Sequence, residues 1–381
     1  MKNKSKIDTK CVHGYDYRES TGAVSVPIYQ SATFRHDSLD EGTGYSYSRL
    51  QNPTRQALEE TMAALEGGAD AIAFGTGLAA MTVLFECCLS PDDHIIATED
   101  LYGGSIRLLR TIVQKNGVQV DFVDTSDIGA VDRAIKKNTK AVFVETPTNP
   151  MMSVTAISSV AQLTKKHGLK LIVDNTFLTP YFLQPLALGA DIVVHSGTKF
   201  LGGHNDTLAG FLVLRDTNDA ERMRYAAKTI GACLSPFDSW LLLRGIKTLA
   251  IRMERIQGNA LEIAKFLAGH KRVSRVNYVG LPQCKGHDII NKEASGYGGM
   301  ISFEVDSHKT VRSLLEKVEL ISFAESLGGV ETLITFPSTQ THADVPEAEM
   351  ERRGITDRLM RLSVGIENIS DLIEDLKRAL E

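Results

Sequence analysis

Several protein classes are excluded by what this chain lacks. No apolar run approaches the length that crosses a membrane, and the start, MKNKSKIDTKCVHG, has no apolar signal core. Both absences point to a cytoplasmic protein with no membrane partner. No basic block stands out among 42 basic and 47 acidic residues, a formal net charge of −5, so nucleic acid is not an expected partner. Cysteine is scarce and odd in number: Cys11, Cys87, Cys88, Cys233 and Cys284, with no CxxC pair. A disulfide framework and a zinc site are therefore poorly supported. Cys87 and Cys88 fall in an apolar helical stretch, where a buried thiol acts as a small hydrophobe. His195 and His204 find no third ligand at metal spacing, so no metal is expected and both histidines read as structural. There is no internal repeat and no low-complexity tract.

What is present suits a soluble globular enzyme. Apolar residues make up 43% and charged residues 23%. A length of 381 residues is more than one core usually carries. Residues 1–52 show little periodicity and end in GTGYSYSRLQNPTR, which reads as an extended arm. Asn52-Pro53 suits a helix start, Leu58, Met62 and Leu65 follow at helical spacing, and Gly67-Gly68 ends the helix. Short apolar runs then alternate with amphipathic stretches across 53–245. The strand candidates are Ala71–Thr76, Ile95–Thr98, Val118–Val123, Ala141–Glu145, Leu171–Asp174, Ile192–His195 and Phe211–Leu214. Strands apolar on both faces, alternating with helices, indicate an α/β layer with a mostly parallel sheet. One long helical segment from Pro236 to His270 links this to a second domain, 246–381. There the strand candidates are Arg275–Val279, Met300–Val305, Ile321–Phe323 and Met360–Val364, and the helix SDLIEDLKRALE closes the chain.

In parallel sheets ligands collect at the carboxyl ends of strands, so polar residues there are the first candidates. Gly75-Thr76-Gly77 follows a strand and opens a helix, a backbone nest suited to a phosphate. It also spells GxGxxA, with Glu99-Asp100 about twenty residues on, as a dinucleotide site asks. A nicotinamide-dependent oxidoreductase is thus a rival reading, and a plain tight turn is another. Asp174 ends an apolar strand, where a carboxylate is costly unless it caps a helix or meets a cation. One such cation is a protonated pyridine nitrogen. Lys199, in HSGTKFLGGHND, is either a solvated surface charge or an amine desolvated among Ser196, Thr198 and glycines. A desolvated lysine has a lowered pKa and can form a Schiff base. Together, a phosphate nest, a strand-end aspartate and a strand-end lysine flanked by hydroxyls are what pyridoxal phosphate needs. A dinucleotide fold has no use for Lys199. Arg361 lies on a strand whose Met360, Leu362 and Val364 face the other way, so it either clamps a carboxylate or faces solvent.

With these residues the chain resembles the Cys/Met-metabolism enzymes that use pyridoxal phosphate: cystathionine γ-synthase, cystathionine γ- and β-lyases, methionine γ-lyase and homoserine-ester sulfhydrylases. The resemblance runs from SVPIYQSATF to LMRLSVGIE. It implies an aspartate-aminotransferase-like (fold type I) fold, with a large mostly parallel sheet domain and a smaller α/β C-terminal domain. It also implies a homotetramer, a dimer of dimers with shared active sites, acting on small amino-acid substrates. By resemblance, Lys199 is the Schiff-base lysine and Asp174 pairs with the ring nitrogen. Ser196, Thr198 and the amides of Gly77 and Leu78 hold the phosphate, with Gly197, Gly202 and Gly203 letting cofactor and backbone approach. Tyr102 stacks on the ring and acts as acid or base. Tyr47 and Arg49 reach the phosphate of the neighbouring subunit, which would account for the irregular arm. Asn149 lies near the ring hydroxyl and the substrate carboxylate, Ser326 contacts Lys199, and Arg361 clamps the α-carboxylate.

Within the resemblance, Glu325 and Arg107 match the γ-synthase and γ-lyase group, whereas β-lyases of the enteric type carry tyrosine in place of Glu325. Gly104 stands where methionine γ-lyases have cysteine. These positions imply chemistry at Cγ, with cystathionine as product or substrate. A β-lyase or a sulfhydrylase is the alternative. Ser46 and Leu50 depart from the cystathionine pattern, which points to an acetyl or phospho ester or a smaller thiol.

Overall fold

The computed structural model describes residues 5–15, 21–341 and 345–381. Seven short apolar runs form one sheet: β1 (Asp70–Phe74), β2 (His94–Thr98), β3 (Gln119–Val123), β4 (Thr139–Glu145), β5 (Lys170–Asp174), β6 (Ile192–Ser196) and β7 (Gly210–Leu214). Their order is β1-β7-β6-β5-β4-β2-β3. β7 runs antiparallel to both its neighbours, and the other pairings are parallel. Each run expected from the sequence is a strand, shifted by two residues at most at either end. Successive side chains alternate between two cores. Ala71, Val142, Val173 and Val193 pack on one face, and Ile72, Phe143, Ile172 and Val194 on the other. Both faces are covered, which is why the runs read as continuously apolar. β1, β2, β4, β5 and β6 all point the same way, so their carboxyl ends share one edge.

The helix Pro53–Glu66 forms as its signals require. Asn52 caps it by accepting from the Thr54 amide, and Gly67 ends it in the left-handed region (φ 72°). The arm before it is not wholly irregular. Ile7–His13 is a helix that buries Cys11 against the Pro53–Glu66 helix. Too short for a periodic signal, it is ordered by that packing.

The long helix expected over Pro236–His270 is two helices, Pro236–Ile246 and Leu249–Ala268. They part where the loop after Lys199 presses in. A Cβ on Gly245 would stand 2.3 Å from the Gly202 carbonyl, and the Arg252 guanidinium takes up the Gly245 and Phe200 carbonyls. The second helix spans both parts of the molecule. Leu249, Met253 and Ile256 join the core under the large sheet, while Ala260, Ile263 and Leu267 join the core of a second sheet.

That second sheet comprises β8 (Val273–Asn277), β9 (Met300–Val305), β10 (Ser322–Phe323), β11 (Leu333–Thr335) and β12 (Leu359–Ser363), in the order β10-β11-β12-β9-β8. β10 and β11 are parallel, and the remaining pairs are antiparallel. β11 was not anticipated; three residues are too few for an alternating pattern. Ile369–Leu380 closes the fold as a helix. Cys87 and Cys88, expected buried, are half-buried at the last turn of the helix Gly77–Cys88. No helix among the described residues is long and apolar enough to cross a membrane.

Candidate active site

The carboxyl ends of β1, β2, β4, β5 and β6 border a cavity of about 510 Å³, closed on its far side by segments of the second sheet. Most of the residues given catalytic or binding roles from the sequence line it, namely Gly77, Leu78, Tyr102, Arg107, Asn149, Asp174, Ser196, Thr198, Lys199, Glu325, Ser326 and Arg361.

At the end of β1, Thr76 caps the helix Gly77–Cys88 by accepting from the Ala79 amide at 3.0 Å. The first amides of a helix have no partner within it, so Gly77 and Leu78 bring free N–H groups and the positive end of the helix dipole to the cavity wall. A Cβ on Gly77 would lie 3.3 Å from the Ser196 backbone, so glycine keeps this corner open.

Asp174 ends β5 and is buried. Its Oδ1 accepts from the Thr176 amide (3.0 Å) and hydroxyl (2.5 Å), and Thr176 Oγ1 in turn accepts from the Ser196 amide at 2.9 Å. Burial raises the Asp174 carboxyl above its usual range, and the Thr176 hydrogen bonds oppose this. Among the described residues Asp174 makes no ion pair.

Glu145 ends β4 in register with Asp174 and also lines the cavity. Its two oxygens accept from the Tyr102 amide at 3.1 Å and the Asn149 amide at 2.9 Å. Burial, and then the charge of Asp174, holds its carboxyl well above the usual range. Glu145 went unnoticed in the sequence, although the rule that marked Asp174, a carboxylate closing an apolar strand, applies to it equally. Thr176 and Thr335 were missed too, and no sequence signal marks a hydroxyl that only bridges two neighbours.

Lys199 follows β6. Its Nζ donates to Ser326 Oγ at 3.2 Å. Burial, then the Arg361 charge, pulls its pKa down to about 8, against the pull of Glu325. Lys199 is thus partly buried in the cavity wall and not a fully solvated surface lysine. Gly328, at φ 81°, permits the close approach: a Cβ there would stand 2.5 Å from the Phe200 nitrogen. Gly197 and Gly203 make room for protein rather than cofactor. Their Cβ atoms would meet the Phe211 ring at 2.6 Å and the Arg252 guanidinium at 2.2 Å. The Thr198 hydroxyl accepts from the Ala209 amide at 3.1 Å while lining the cavity.

Arg361 is 2% exposed, not solvent-facing. It donates to Asn149 Oδ1 (2.9 Å), the Ser326 carbonyl (3.0 Å) and Thr335 Oγ1 (3.2 Å). Burial lowers its pKa to about 10. The Tyr102 ring, 40% exposed, borders the cavity, and a Cβ on Gly104 would come within 2.4 Å of it. Any side chain at 104 therefore displaces the ring.

Tyr47 and Arg49 do not line the cavity of their own chain. Both are exposed on the arm, where the Arg49 guanidinium lies 5.5 Å from the Tyr47 ring centre and donates to the Lys228 carbonyl at 2.7 Å. His195 Nε2 lies 2.6 Å from Glu66 Oε1, and His204 Nδ1 lies 2.8 Å from the Gly202 carbonyl. No group of three or more potential metal ligands occurs among the described residues.

Residues 8–381 match the family described as Cys/Met metabolism PLP-dependent enzyme. The chain belongs to this family. It is 47% identical over 378 residues to cystathionine beta-lyase of Lactococcus lactis subsp. cremoris (strain MG1363), covering 99% of each chain. It is 49% identical over 375 residues to cystathionine gamma-synthase/O-acetylhomoserine (thiol)-lyase of Bacillus subtilis (strain 168), covering 98% of this chain and 96% of that one. Among solved structures, cystathionine gamma-lyase from Lactobacillus plantarum complexed with L-serine superposes with a TM-score of 0.96 at 42% identity, covering 98% of both chains. The fold is therefore the fold type I arrangement, and the enzyme is dependent on pyridoxal phosphate. The dinucleotide alternative falls with that assignment.

The cavity fits the cofactor on its own geometry. A buried carboxylate without a cation, Asp174, suits a protonated pyridine nitrogen. The corner kept open by Gly77 beside two helix amides and Ser196 suits a phosphate.

Proposed function

We propose that this enzyme makes or breaks the bond to sulfur at Cγ of a γ-substituted amino acid. It is a cystathionine γ-synthase, joining an activated homoserine ester to cysteine, or a γ-lyase, cleaving cystathionine to cysteine, 2-oxobutyrate and ammonia. One observation carries this reading: two guanidinium groups, Arg361 and Arg107, share a single cavity with Lys199 and Glu325. That suits a substrate with a carboxylate at each end.

When bound, pyridoxal phosphate supplies an aldehyde for an amine and a ring that takes up the electron pair left at the substrate's α-carbon. The protein supplies the rest. Lys199, with an amine of lowered pKa, is neutral in a useful fraction near neutral pH. It would hold the cofactor's aldehyde, and as a free amine it would take the substrate's α-proton. Asp174 keeps the ring nitrogen protonated. The amides of Gly77 and Leu78, with Ser196 and Thr198, hold the phosphate, and Tyr47 and Arg49 of a neighbouring subunit complete that hold. Tyr102 and Asn149, both in the cavity wall, would hold the cofactor's ring, with the Tyr102 hydroxyl available to move a proton. Arg361 binds the α-carboxylate, and its buried Nε, which lacks a partner among the described residues, supports this role. Ser326 steers the freed Lys199 amine, Arg107 meets the distal carboxylate, and Glu325 favours Cγ over Cβ chemistry. We divide the chain into an arm (1–52), a cofactor domain (53–245) and a C-terminal domain (246–381), assembled as a cytoplasmic homotetramer.

Product analysis tests the reaction. The enzyme is given O-acetyl-, O-succinyl- or O-phosphohomoserine with cysteine, and separately cystathionine alone. Cystathionine from an ester, or 2-oxobutyrate from cystathionine, is the expected result. Pyruvate with homocysteine would refute Cγ chemistry and establish a β-lyase. The β-lyase reading is favoured by the similarity to the Lactococcus lactis cystathionine beta-lyase, whereas Ser46 and Leu50 favour an acetyl or phospho ester or a smaller thiol, as in ester sulfhydrylation.

A further inference from the structure

Strand alternation sends Asp174, Val194 and Ser196 to the cavity and Asn175 and His195 to the opposite face of the sheet. There, in the apolar core, sits a polar cluster that the mechanism does not use. Glu66, the last residue of the helix Pro53–Glu66, has Oε1 at 2.6 Å from His195 Nε2, and the same oxygen accepts from Asn175 Nδ2 at 3.0 Å. Asn175 Nδ2 also donates to the Leu183 carbonyl at 2.8 Å, and its backbone amide donates to the Val194 carbonyl at 3.0 Å. All three residues are at most 1% exposed. One oxygen of Glu66 thus grips both strands one residue beyond Asp174 and one residue before Ser196. On the cavity side, Thr176 ties the same two ends together.

The cluster is a poor device for stability. Glu66 Oε2, His195 Nδ1 and Asn175 Oδ1 are buried with no partner among the described residues. A partly satisfied polar network costs the fold more than an apolar filling of the same volume. Its use lies in what it holds.

We propose that Glu66, His195 and Asn175 are positioning residues that set Asp174 and Ser196 relative to one another and so control how tightly the protein holds pyridoxal phosphate. The inference rests on the roles proposed above for Asp174 and Ser196. It also separates two properties that a plain core residue would move together: cofactor affinity and stability of the apoprotein.

The test is titration of apoprotein with pyridoxal phosphate, followed by absorbance, alongside thermal melts of the same apoprotein. The double variant Glu66→Met/His195→Leu should melt no lower than wild type, yet its cofactor dissociation constant should rise roughly tenfold, the scale of one lost hydrogen bond to a charged group. Once loaded, it should show lower kcat with little change in KM. Glu66→Gln, which keeps the accepting oxygen, should retain most of the affinity. Asn175→Ala removes both hydrogen bonds of the side-chain amide but leaves the Glu66–His195 contact in place, and should weaken binding by a smaller factor. Wild-type affinity in the double variant would overturn the inference. A double variant that fails to fold, combined with wild-type affinity in Asn175→Ala, would overturn it too. Asp174→Asn is the control: wild-type cofactor affinity there would sink the role of Asp174 itself, a different failure.

Discussion

Lys199 and Ser326 meet at 3.2 Å, and Ser326 makes the contact from a backbone at φ 96°, which L residues rarely adopt. Arg361 holds that strain in place by donating to the Ser326 carbonyl. The position therefore separates stability from chemistry. Ser326→Gly relieves the strained φ and should stabilise the fold by roughly 1 kcal/mol, while losing the hydroxyl that touches Lys199. Melting temperature should rise as kcat falls. A variant with lower kcat and a lower melting temperature would show that the strain is not relieved by glycine.

Lys199 has a pKa near 8 because burial and the Arg361 charge disfavour its cation, while Glu325 favours it. Only the neutral amine attacks an aldehyde. The rate at which apoprotein captures pyridoxal phosphate should therefore rise with pH around a midpoint near 8. Arg361→Met removes a repelling charge and should move the midpoint up, whereas Glu325→Gln removes an attracting charge and should move it down. Stopped-flow absorbance measures both. Shifts of the same sign in the two variants would contradict this electrostatic account.

Much of this site was legible because its carboxylates and its lysine break apolar runs. Asp174 closes the apolar run Leu171–Val173 and Lys199 follows shortly after the apolar run Ile192–Val194, and a charged group so close to a buried run has a physical cost that demands a reason. Glu145 carries the same signal, but its partners are the amides of Tyr102 and Asn149, which no residue type reveals. The break in the helix at Lys247-Thr248 was illegible for a related cause. It answers to the loop after Lys199, more than forty residues away in sequence, through Gly202 and Arg252. The seven large-sheet strands announce themselves because both faces are buried. The three-residue β11 does not, since its pairing is supplied by β10 and β12.

Asp100 offers a pH test outside the chemical step. It is buried just beyond β2, accepts from the Thr148 hydroxyl and the Met151 amide, and leaves Oδ1 without a partner among the described residues. Burial pushes its pKa up to about 6 from 3.8. Between those values the folded state binds more protons than the unfolded state, so stability falls as pH rises through the window. The cost is absent below the lower value and complete above the upper one. Asp100→Asn keeps an accepting oxygen and removes the charge. Its stability relative to wild type should grow from pH 4 to 6, then level off at a gain on the order of 3 kcal/mol at most. Urea unfolding of apoprotein at several pH values reads this directly. A difference that stays flat across the window would mean that Asp100 is ionised throughout.

Arg49 and Tyr47 stand on an exposed arm, away from the cavity of their own chain, with the Arg49 guanidinium spent on a carbonyl at Lys228. If the arm serves a neighbouring subunit, lesions at Lys199 and Arg49 should complement each other. Each homogeneous variant, Lys199→Ala or Arg49→Ala, is defective at all its sites. In a mixed dimer, one site receives both lesions and the other receives neither. Random reassortment of equal amounts makes half the dimers mixed, so activity should recover to about a quarter of wild type. If Arg49 instead served its own chain, every site in the mixed dimer would carry one lesion and nothing would recover. The measurement is activity after co-refolding two differently tagged variants and isolating the doubly tagged species, whose recovery should approach half of wild type. A doubly tagged species as inactive as its parents would place Arg49 outside the neighbouring site.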